Sequence, residues 1–190
     1  MNYNYNGAYA HVGTNQGIKA TWEPNGPTGS WWISQTFANQ LWAQTGVFNS
    51  KWFYYIQDRS TGTDLVTINW AHLKPADYTK PHTFEISQQG GHKGWRFLID
   101  GKSIGSYGIG ADGSGDFLLT NEFADAGDKA TFHDAQVMVS GVWRPASSAF
   151  SFTMGDPVLG IAGHLQDPTL APGALRIGGP ASVTNGTQLW

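Results

Sequence analysis

The sequence predicts an all-β protein, an antiparallel sandwich or jelly roll. Helix signals are nearly absent, because no window of twelve or more residues keeps apolar residues at i, i+3 and i+4. Short apolar or alternating segments recur instead, with turn residues between them. Gly (25) and Pro (9) are spread along the chain, and aromatic residues make up 14% of it. This combination is typical of many short strands around a large core.

Each predicted strand is bounded by turn chemistry. A proline-rich turn at 24–27 ends the second strand, and a dense aromatic segment, KWFYYIQ, forms the fifth at 51–57. Asp100-Gly101 is a tight-turn dipeptide that joins the ninth strand to the strand before it. The predicted strands cover residues 7–12, 17–22, 30–37, 41–48, 51–57, 65–70, 83–88, 95–99, 102–107, 117–123, 130–139 and 149–154.

The sequence contains no internal repeat and no linker-like change of composition, so we expect a single domain over residues 1–190. The segment 156–190 is loop-rich and carries four prolines. We expect it to pack on the sandwich and to add strands near 174–177 and 182–190.

Composition excludes several classes of partner and chemistry. The net charge is −3 with no basic stripe, which argues against nucleic acid as a partner. No apolar run approaches 18 residues, so no membrane partner is expected. The polar N-terminus is not a signal peptide, so a secreted protein would already have lost its leader. The chain has no Cys, which excludes disulfides and thiolate chemistry.

Only three glutamates are available to a mechanism that needs one: Glu23, Glu85 and Glu122. Glu23 precedes a proline at a strand end, and Glu85 belongs to an outward-facing alternation. Glu122 differs because it ends an otherwise apolar strand. It is either a polar residue at a strand end or a partly desolvated carboxylate with a raised pKa suited to acid–base work.

Gln44 interrupts the apolar segment 41–48. An amide at this position either bonds a neighbouring strand or acts as a fixed N–H donor toward a reacting oxygen. The aromatic residues leave a similar choice. Trp31 and Trp32 are adjacent, so on a strand they point to opposite faces, and at most one belongs to the core of a one-sided sheet. The other would face solvent or an aromatic-lined groove.

Other motifs in the sequence are weaker. Residues 108–113 match GxGxxG, but a strand follows them instead of a helix, so a glycine-rich loop is favoured. Asp112, Ser114 and Asp116 alternate like calcium ligands, but Phe123 occupies the position of the required glutamate. The six His show no zinc spacing. We therefore expect neither a metal nor a cofactor.

Several segments together resemble the glutamic peptidases called eqolisins. Gln44-Thr45-Gly46-Val47 before the aromatic strand is similar to that family's catalytic glutamine motif. Asn121-Glu122-Phe123 is similar to its catalytic glutamate motif and lies 78 positions later (122 − 44). The segments at 5–8, 17–25 and Trp31-Trp32 resemble other parts of the family's N-terminal half. The chain looks like a divergent, bacterial-type member.

This resemblance implies a concanavalin-like sandwich of two antiparallel sheets, one of them curved into a concave substrate groove. It implies an endopeptidase that works in acid, with Glu122 activating water and Gln44 stabilising the oxyanion. The implied partner is a polypeptide substrate, and the implied form is a secreted monomer. Four aromatic residues are expected to line the groove: Tyr5, Trp31, Trp52 and Tyr54.

Two alternatives stay open. The first is a carbohydrate-binding, lectin-like jelly roll, which needs only the aromatic groove. A glycosidase is less favoured, because it needs two carboxylates at a set separation and the chain has three Glu in unrelated settings. The second is a relative that has kept the fold and lost catalysis.

Overall fold

The computed structural model describes residues 5–24, 29–67, 74–90, 94–122, 129–145, 153–154 and 175–178. At positions 5–11, 116, 121–122, 129–130, 153–154 and 175–178 only the backbone is described. The strands in chain order are β1 Tyr5–His11, β2 Gly17–Pro24, β3 Ser30–Phe37, β4 Leu41–Phe48, β5 Lys51–Asp58, β6 Thr63–Val66, β7 His82–Gln89, β8 Gly94–Ile99, β9 Lys102–Tyr107, β10 Gly113–Glu122, β11 Lys129–Val139, β12 Val142–Pro145, β13 Thr153–Met154 and β14 Leu175–Gly178.

These strands form two antiparallel sheets of seven strands each. The first sheet has the order β13-β1-β10-β3-β4-β5-β6. The second has the order β12-β11-β2-β7-β8-β9, with β14 also paired to β11. The chain crosses between the sheets several times, so strands that are distant in sequence become neighbours, as β10 does beside β3.

The core lies between the two sheets and is largely aromatic. Alternate residues of the first sheet, such as Ile33 and Val47, are fully buried against the second sheet. Phe37 meets Trp95 edge-to-face with ring centroids 4.8 Å apart. Tyr54 stacks on Phe97 at 4.7 Å. Burial of this much aromatic surface is the main source of stability.

Two-residue turns close two hairpins of the second sheet. Asp100 and Gly101 have φ values of 52° and 72°, and Ser140 and Gly141 have values of 53° and 74°. Two successive positive φ angles match the right-handed twist of the flanking strands. The first of these turns was predicted from the Asp-Gly dipeptide, whereas the second was missed, and with it β12.

The predicted fold class is confirmed: the described chain is an all-β antiparallel sandwich of two sheets. Most predicted strands appear within a few residues of their expected bounds. The sixth begins earlier than predicted and ends at Val66, and residues 68–70 lie outside the described part. The strand predicted at 182–190 also lies outside it. Within the described ranges, no helix is long and apolar enough to cross a membrane.

Candidate functional site

Gln44 lies at the centre of β4, in the middle of the first sheet. It is directly opposite Ser34 on β3 and Tyr55 on β5. Its neighbour Thr45 points the other way, into the sandwich, where its hydroxyl donates a 2.9 Å hydrogen bond to the carbonyl oxygen of Phe53. Gln44 therefore belongs to the side of the first sheet that faces away from the second sheet, which we call the outer face.

The outer face carries a small aromatic cluster of its own, formed by Trp32, Phe48 and Phe53. Their ring centroids are 5.8–6.4 Å apart. Trp32 is only 1% exposed although it points away from the core between the sheets. The prediction that Trp31 and Trp32 point to opposite faces is confirmed, but neither ring is exposed.

Gly46 makes room for this cluster. It lies between Trp32 on β3 and Phe53 on β5. A Cβ at position 46 would sit 2.1 Å from the Trp31 carbonyl oxygen and 2.8 Å from the Trp32 Cβ. Only glycine fits this close approach of two strands, which explains the glycine two positions after Gln44.

Four buried polar atoms of the outer face have no hydrogen-bond partner among the described residues. They are Gln44 Oε1, Ser34 Oγ, Trp32 Nε1 and Thr120 Oγ1. The four residues are contiguous, because Gln44 is opposite Ser34, Trp32 is two residues from Ser34, and Thr120 is opposite Trp32. An unpaired buried polar group costs about 1–3 kcal/mol, so four in one patch make this part of the outer face costly in stability.

A more open part of the outer face lies on the other side of Gln44. Trp42 and Tyr55 are half-buried and meet edge-to-face, with ring centroids 6.3 Å apart. The Tyr55 hydroxyl hydrogen-bonds to the Asp64 carboxylate, which also accepts a 3.2 Å bond from Gln57 Nε2. Burial first, and then this bond to Asp64, raise the pKa of Tyr55 well above its ordinary value. The phenol therefore stays a neutral donor.

Glu122 is the last residue of β10, and its place is known from backbone register. It pairs with Ser30 on β3 and with Tyr5 on β1. Gln44 instead belongs to the row of Ser34 and Leu118. Positions 44 and 122 are thus two strands and four residues apart, or about 16 Å between backbones from the usual strand spacings. By strand alternation both positions belong to the outer face, but they are not direct neighbours.

The four aromatic residues predicted to line a groove are placed differently. The side chains of Trp31, Trp52 and Tyr54 lie on the inner face, packed with the core between the sheets. Trp52 packs against His82 of the second sheet at 4.8 Å, for example. The prediction that these three side chains line a groove is therefore wrong, because their positions in the alternation of β3 and β5 face the second sheet. For Tyr5 the backbone pairing with Glu122 is described and the side chain is not.

The residues that replace them on the outer face are Trp42, Tyr55, Ser34 and Thr120. Trp42 is two residues from Gln44 on β4, so alternation from Gln44 could have identified it. Tyr55 is on β5, and its face follows from its pairing with Gln44. Ser34 and Thr120 carry no signal in the sequence, because isolated hydroxyls are common in strands. Only the pairing of β3 with β4 and β10 shows that they converge.

The remaining motifs have structural explanations. The GxGxxG segment is a loop that leads into β10, with no helix after it. Asp112 accepts a 2.9 Å hydrogen bond from Gln88 Nε2. His133 Nδ1 lies 2.8 Å from its neighbour Asp134, at an exposed position. No group of three or more His, Cys, Asp or Glu side chains within the described ranges is placed to hold a metal ion.

Comparison with known proteins does not assign this chain to a family. No protein-family model and no curated protein matches this chain. One solved structure to which the chain is similar is the Bacillus licheniformis beta-glucanase, with 12% sequence identity and a TM-score of 0.27. The match covers 64% of this chain and 53% of the beta-glucanase, so it spans about half the length of that protein.

Proposed function

We propose that this protein is an acid-acting endopeptidase in which Gln44 and Glu122 form the reacting pair. The observation that carries the proposal is the Gln44 amide, which is 93% buried on the outer face with its Oε1 unpartnered in the described part of the chain. A structural amide at the centre of a sheet would be expected to use that oxygen. The resemblance of both segments to the glutamic peptidases supplies the role of the pair.

The proposed chemistry follows from the hydrogen-bonding capacity of the two groups. A water bound between the two side chains donates one hydrogen bond to Gln44 Oε1 and gives its other proton to the Glu122 carboxylate as it attacks the scissile carbonyl. Gln44 Nε2 donates to the oxyanion that forms. Glu122 then passes its proton to the leaving amine, so no covalent intermediate is needed.

The separation of the pair sets a condition on this mechanism. With backbones about 16 Å apart, both side chains must lean along the outer face toward a substrate lying between them. The substrate chain would then run along β3, parallel to the strands, with Gln44 on one side of it and position 122 on the other.

The test is proteolysis of a denatured protein across pH 2–8. We expect Gln44→Ala to lower kcat/KM by about 10²–10³, as loss of one oxyanion donor does. We expect Glu122→Gln to lower it by about 10²–10⁴, because an amide cannot accept the proton of the water. Gln136→Ala and Glu85→Gln, both on the second sheet, are the matched controls and should retain activity. Cleavage by the Glu122→Gln variant at the wild-type rate would disprove the mechanism.

A second candidate function is carbohydrate binding on the outer face. The observation that favours it is the half-buried Trp42 and Tyr55 pair beside the polar groups of Gln57 and Asp64, an arrangement suited to stacking on a sugar ring with hydrogen bonds at its edge. A glycan ligand would depend on Trp42 and not on Glu122. Binding to a glycan array would favour this function if Trp42→Ala abolishes the binding and Glu122→Gln preserves it. A relative that has lost catalysis would instead bind peptide without cleaving it.

A further inference from the structure

An open cleft lies beside the turn from β3 to β4 and the end of β5. It has a volume of about 340 Å³ and is lined by Thr36, Phe37, Gln40 and Arg59. Gln40 has a left-handed backbone (φ 64°), and its carbonyl oxygen accepts a 3.1 Å hydrogen bond from the Arg59 amide. The turn between β3 and β4 and the end of β5 are therefore joined at the cleft.

The cleft continues the line of residues that contains Gln44. Along β4 and β5, Gln44 is opposite Tyr55, Trp42 is opposite Gln57, and Gln40 is bonded to Arg59. Each step is two residues, so Arg59 is four residues beyond Tyr55, or about 13 Å along the strand. Trp42 lies between the cleft and Gln44, and Tyr55 lies beside Gln44 on β5. A ligand that runs parallel to the strands would cover both rings and reach both ends.

Arg59 is an exposed cation with two carboxylates, Asp58 and Asp64, close to it in the chain. Its side chain is exposed and makes no ion pair or side-chain hydrogen bond within the described part of the structure. Asp58 Oδ1 is instead bonded by the Ser60 amide (2.9 Å) and hydroxyl (2.6 Å). Asp64 is bonded by Tyr55 and Gln57. Both neighbouring acids are engaged elsewhere, which leaves the guanidinium available.

We propose that the cleft binds a carboxylate carried by an extended peptide whose middle lies over Gln44. A guanidinium matches a carboxylate in a planar, bidentate geometry, and the Gln40 side chain provides a polar wall. The Thr36 hydroxyl is already donated to the Ser114 carbonyl oxygen. An extended chain rises about 3.3 Å per residue, so the carboxylate belongs to an Asp or Glu, or to a C-terminus, about four residues from the reacting bond. The inference rests on the proposed peptidase function for the identity of the chain.

The experiment measures binding in the absence of cleavage. The Glu122→Gln protein is titrated at pH 5, where a peptide Asp is ionised, with synthetic decapeptides that carry either Asp or Asn at the fourth residue before or after the central bond. Trp42 provides a fluorescence signal close to the cleft. We expect about tenfold tighter binding of one Asp peptide than of its Asn counterpart.

Variants at position 59 test whether the preference for the Asp peptide arises at the cleft. Arg59→Gln should abolish the Asp preference without weakening the Asn peptide, and Arg59→Lys should keep part of it. Arg96→Gln is the matched control, since Arg96 is exposed on β8 of the other sheet, and it should change nothing. Equal affinity for Asp and Asn peptides, or a preference that survives Arg59→Gln, overturns the inference.

Other outcomes separate this inference from the proposed function. If the wild-type protein cleaves no protein substrate but the Arg59-dependent Asp preference is present, carboxylate binding in the cleft stands and the peptidase function is disproved. If the wild-type protein cleaves substrates with no preference for acidic residues, carboxylate binding in the cleft is disproved and the peptidase function stands. Arg59-dependent binding of an acidic oligosaccharide such as oligogalacturonate, with no binding of the peptides, overturns the peptide ligand.

Discussion

Two buried threonines on opposite faces of the first sheet differ in their hydrogen bonding. Thr45 points inward, is fully buried and donates its hydroxyl to a backbone oxygen. Thr120 points outward, is 2% exposed, and its Oγ1 has no partner within the described part of the chain. Residue type and burial are therefore matched, and hydrogen bonding is the difference. An unpaired buried hydroxyl carries a cost in stability.

Replacing each of these threonines by valine measures that cost. We expect Thr120→Val to stabilise the fold by about 1 kcal/mol, because an unpaired buried hydroxyl is removed. We expect Thr45→Val to destabilise it by about 1–3 kcal/mol, because the Phe53 carbonyl loses its bond. Urea unfolding monitored by tryptophan fluorescence gives both values. Equal destabilisation by the two changes would show that Thr120 is satisfied in the free protein.

Single residues were predictable to different degrees. Gln44 was identified because an amide interrupts an apolar strand, and the structure places it on the outer face of the sheet. Trp31 and Trp52 were assigned to a groove, but parity alone does not say which side of a sheet faces the second sheet. The unpaired polar patch was beyond sequence reasoning, because it depends on the register of three strands.

At the scale of elements, the close approach of β3 and β4 at Gly46 holds the outer face together. A methyl group at position 46 would meet the Trp31 carbonyl oxygen and the Trp32 backbone at 2.1–2.6 Å. We expect Gly46→Ala to destabilise the fold by about 1–3 kcal/mol, because the two strands must separate. Thermal unfolding followed by circular dichroism measures the change.

Gly94, at the start of β8, is the matched control for that substitution. A Cβ there meets nothing within 4 Å, and its φ is not in the left-handed region. We expect Gly94→Ala to leave stability unchanged or to raise it by up to about 1 kcal/mol, since alanine restricts the unfolded chain. A Gly46→Ala protein as stable as the Gly94→Ala protein would contradict the close approach of β3 and β4.

Strands were easier to predict than their partners. The aromatic strand at 51–57 and the Asp100-Gly101 hairpin were visible as local patterns, and both are present. The β12 strand was missed because it is only four residues long and largely exposed, so it shows no buried alternation. Its one signal was the Ser140-Gly141 turn, which has the same two positive φ angles as Asp100-Gly101.

For the whole molecule, the fold class followed from composition and turn chemistry, but the arrangement of the sheets did not. The chain places β1 in the first sheet, β2 in the second, and then β3 to β6 back in the first. These assignments depend on long-range pairing, such as β10 between β1 and β3. Local sequence carries no record of which distant strand will be the neighbour.

Stability of the whole molecule should fall in acid. Hydrogen bonds from Ser60 to Asp58 and from Thr79 to Asp77 are the main causes that hold the pKa values of these two carboxyls below the ordinary 3.8. A lowered folded-state pKa stabilises the protein above the unfolded pKa, and this contribution is lost as pH falls through the folded value. The Asp58→Asn, Asp77→Asn double variant should therefore lose less stability between pH 5 and pH 2.

Chemical unfolding at several pH values between 2 and 6 tests this expectation. Both carboxyls are partly exposed to solvent, so the effect on each is small, and the double variant is used to make the difference measurable. An unchanged pH dependence in the double variant would mean that these turns contribute nothing to acid sensitivity.

The irregularity in β10 also determines which changes of chain length the protein tolerates. Pairing between β10 and β3 breaks register between Gly113 and Phe117, and it is continuous from Phe117 to Glu122. A residue gained or lost before Phe117 changes only the segment where the register is already broken, so the pairing from Phe117 to Glu122 stays the same. One gained or lost between Phe117 and Glu122 moves position 122 to the other face. The bulge thus isolates the end of β10 from insertions and deletions in the loop before it, and homologous chains can differ in that loop without losing the position of Glu122.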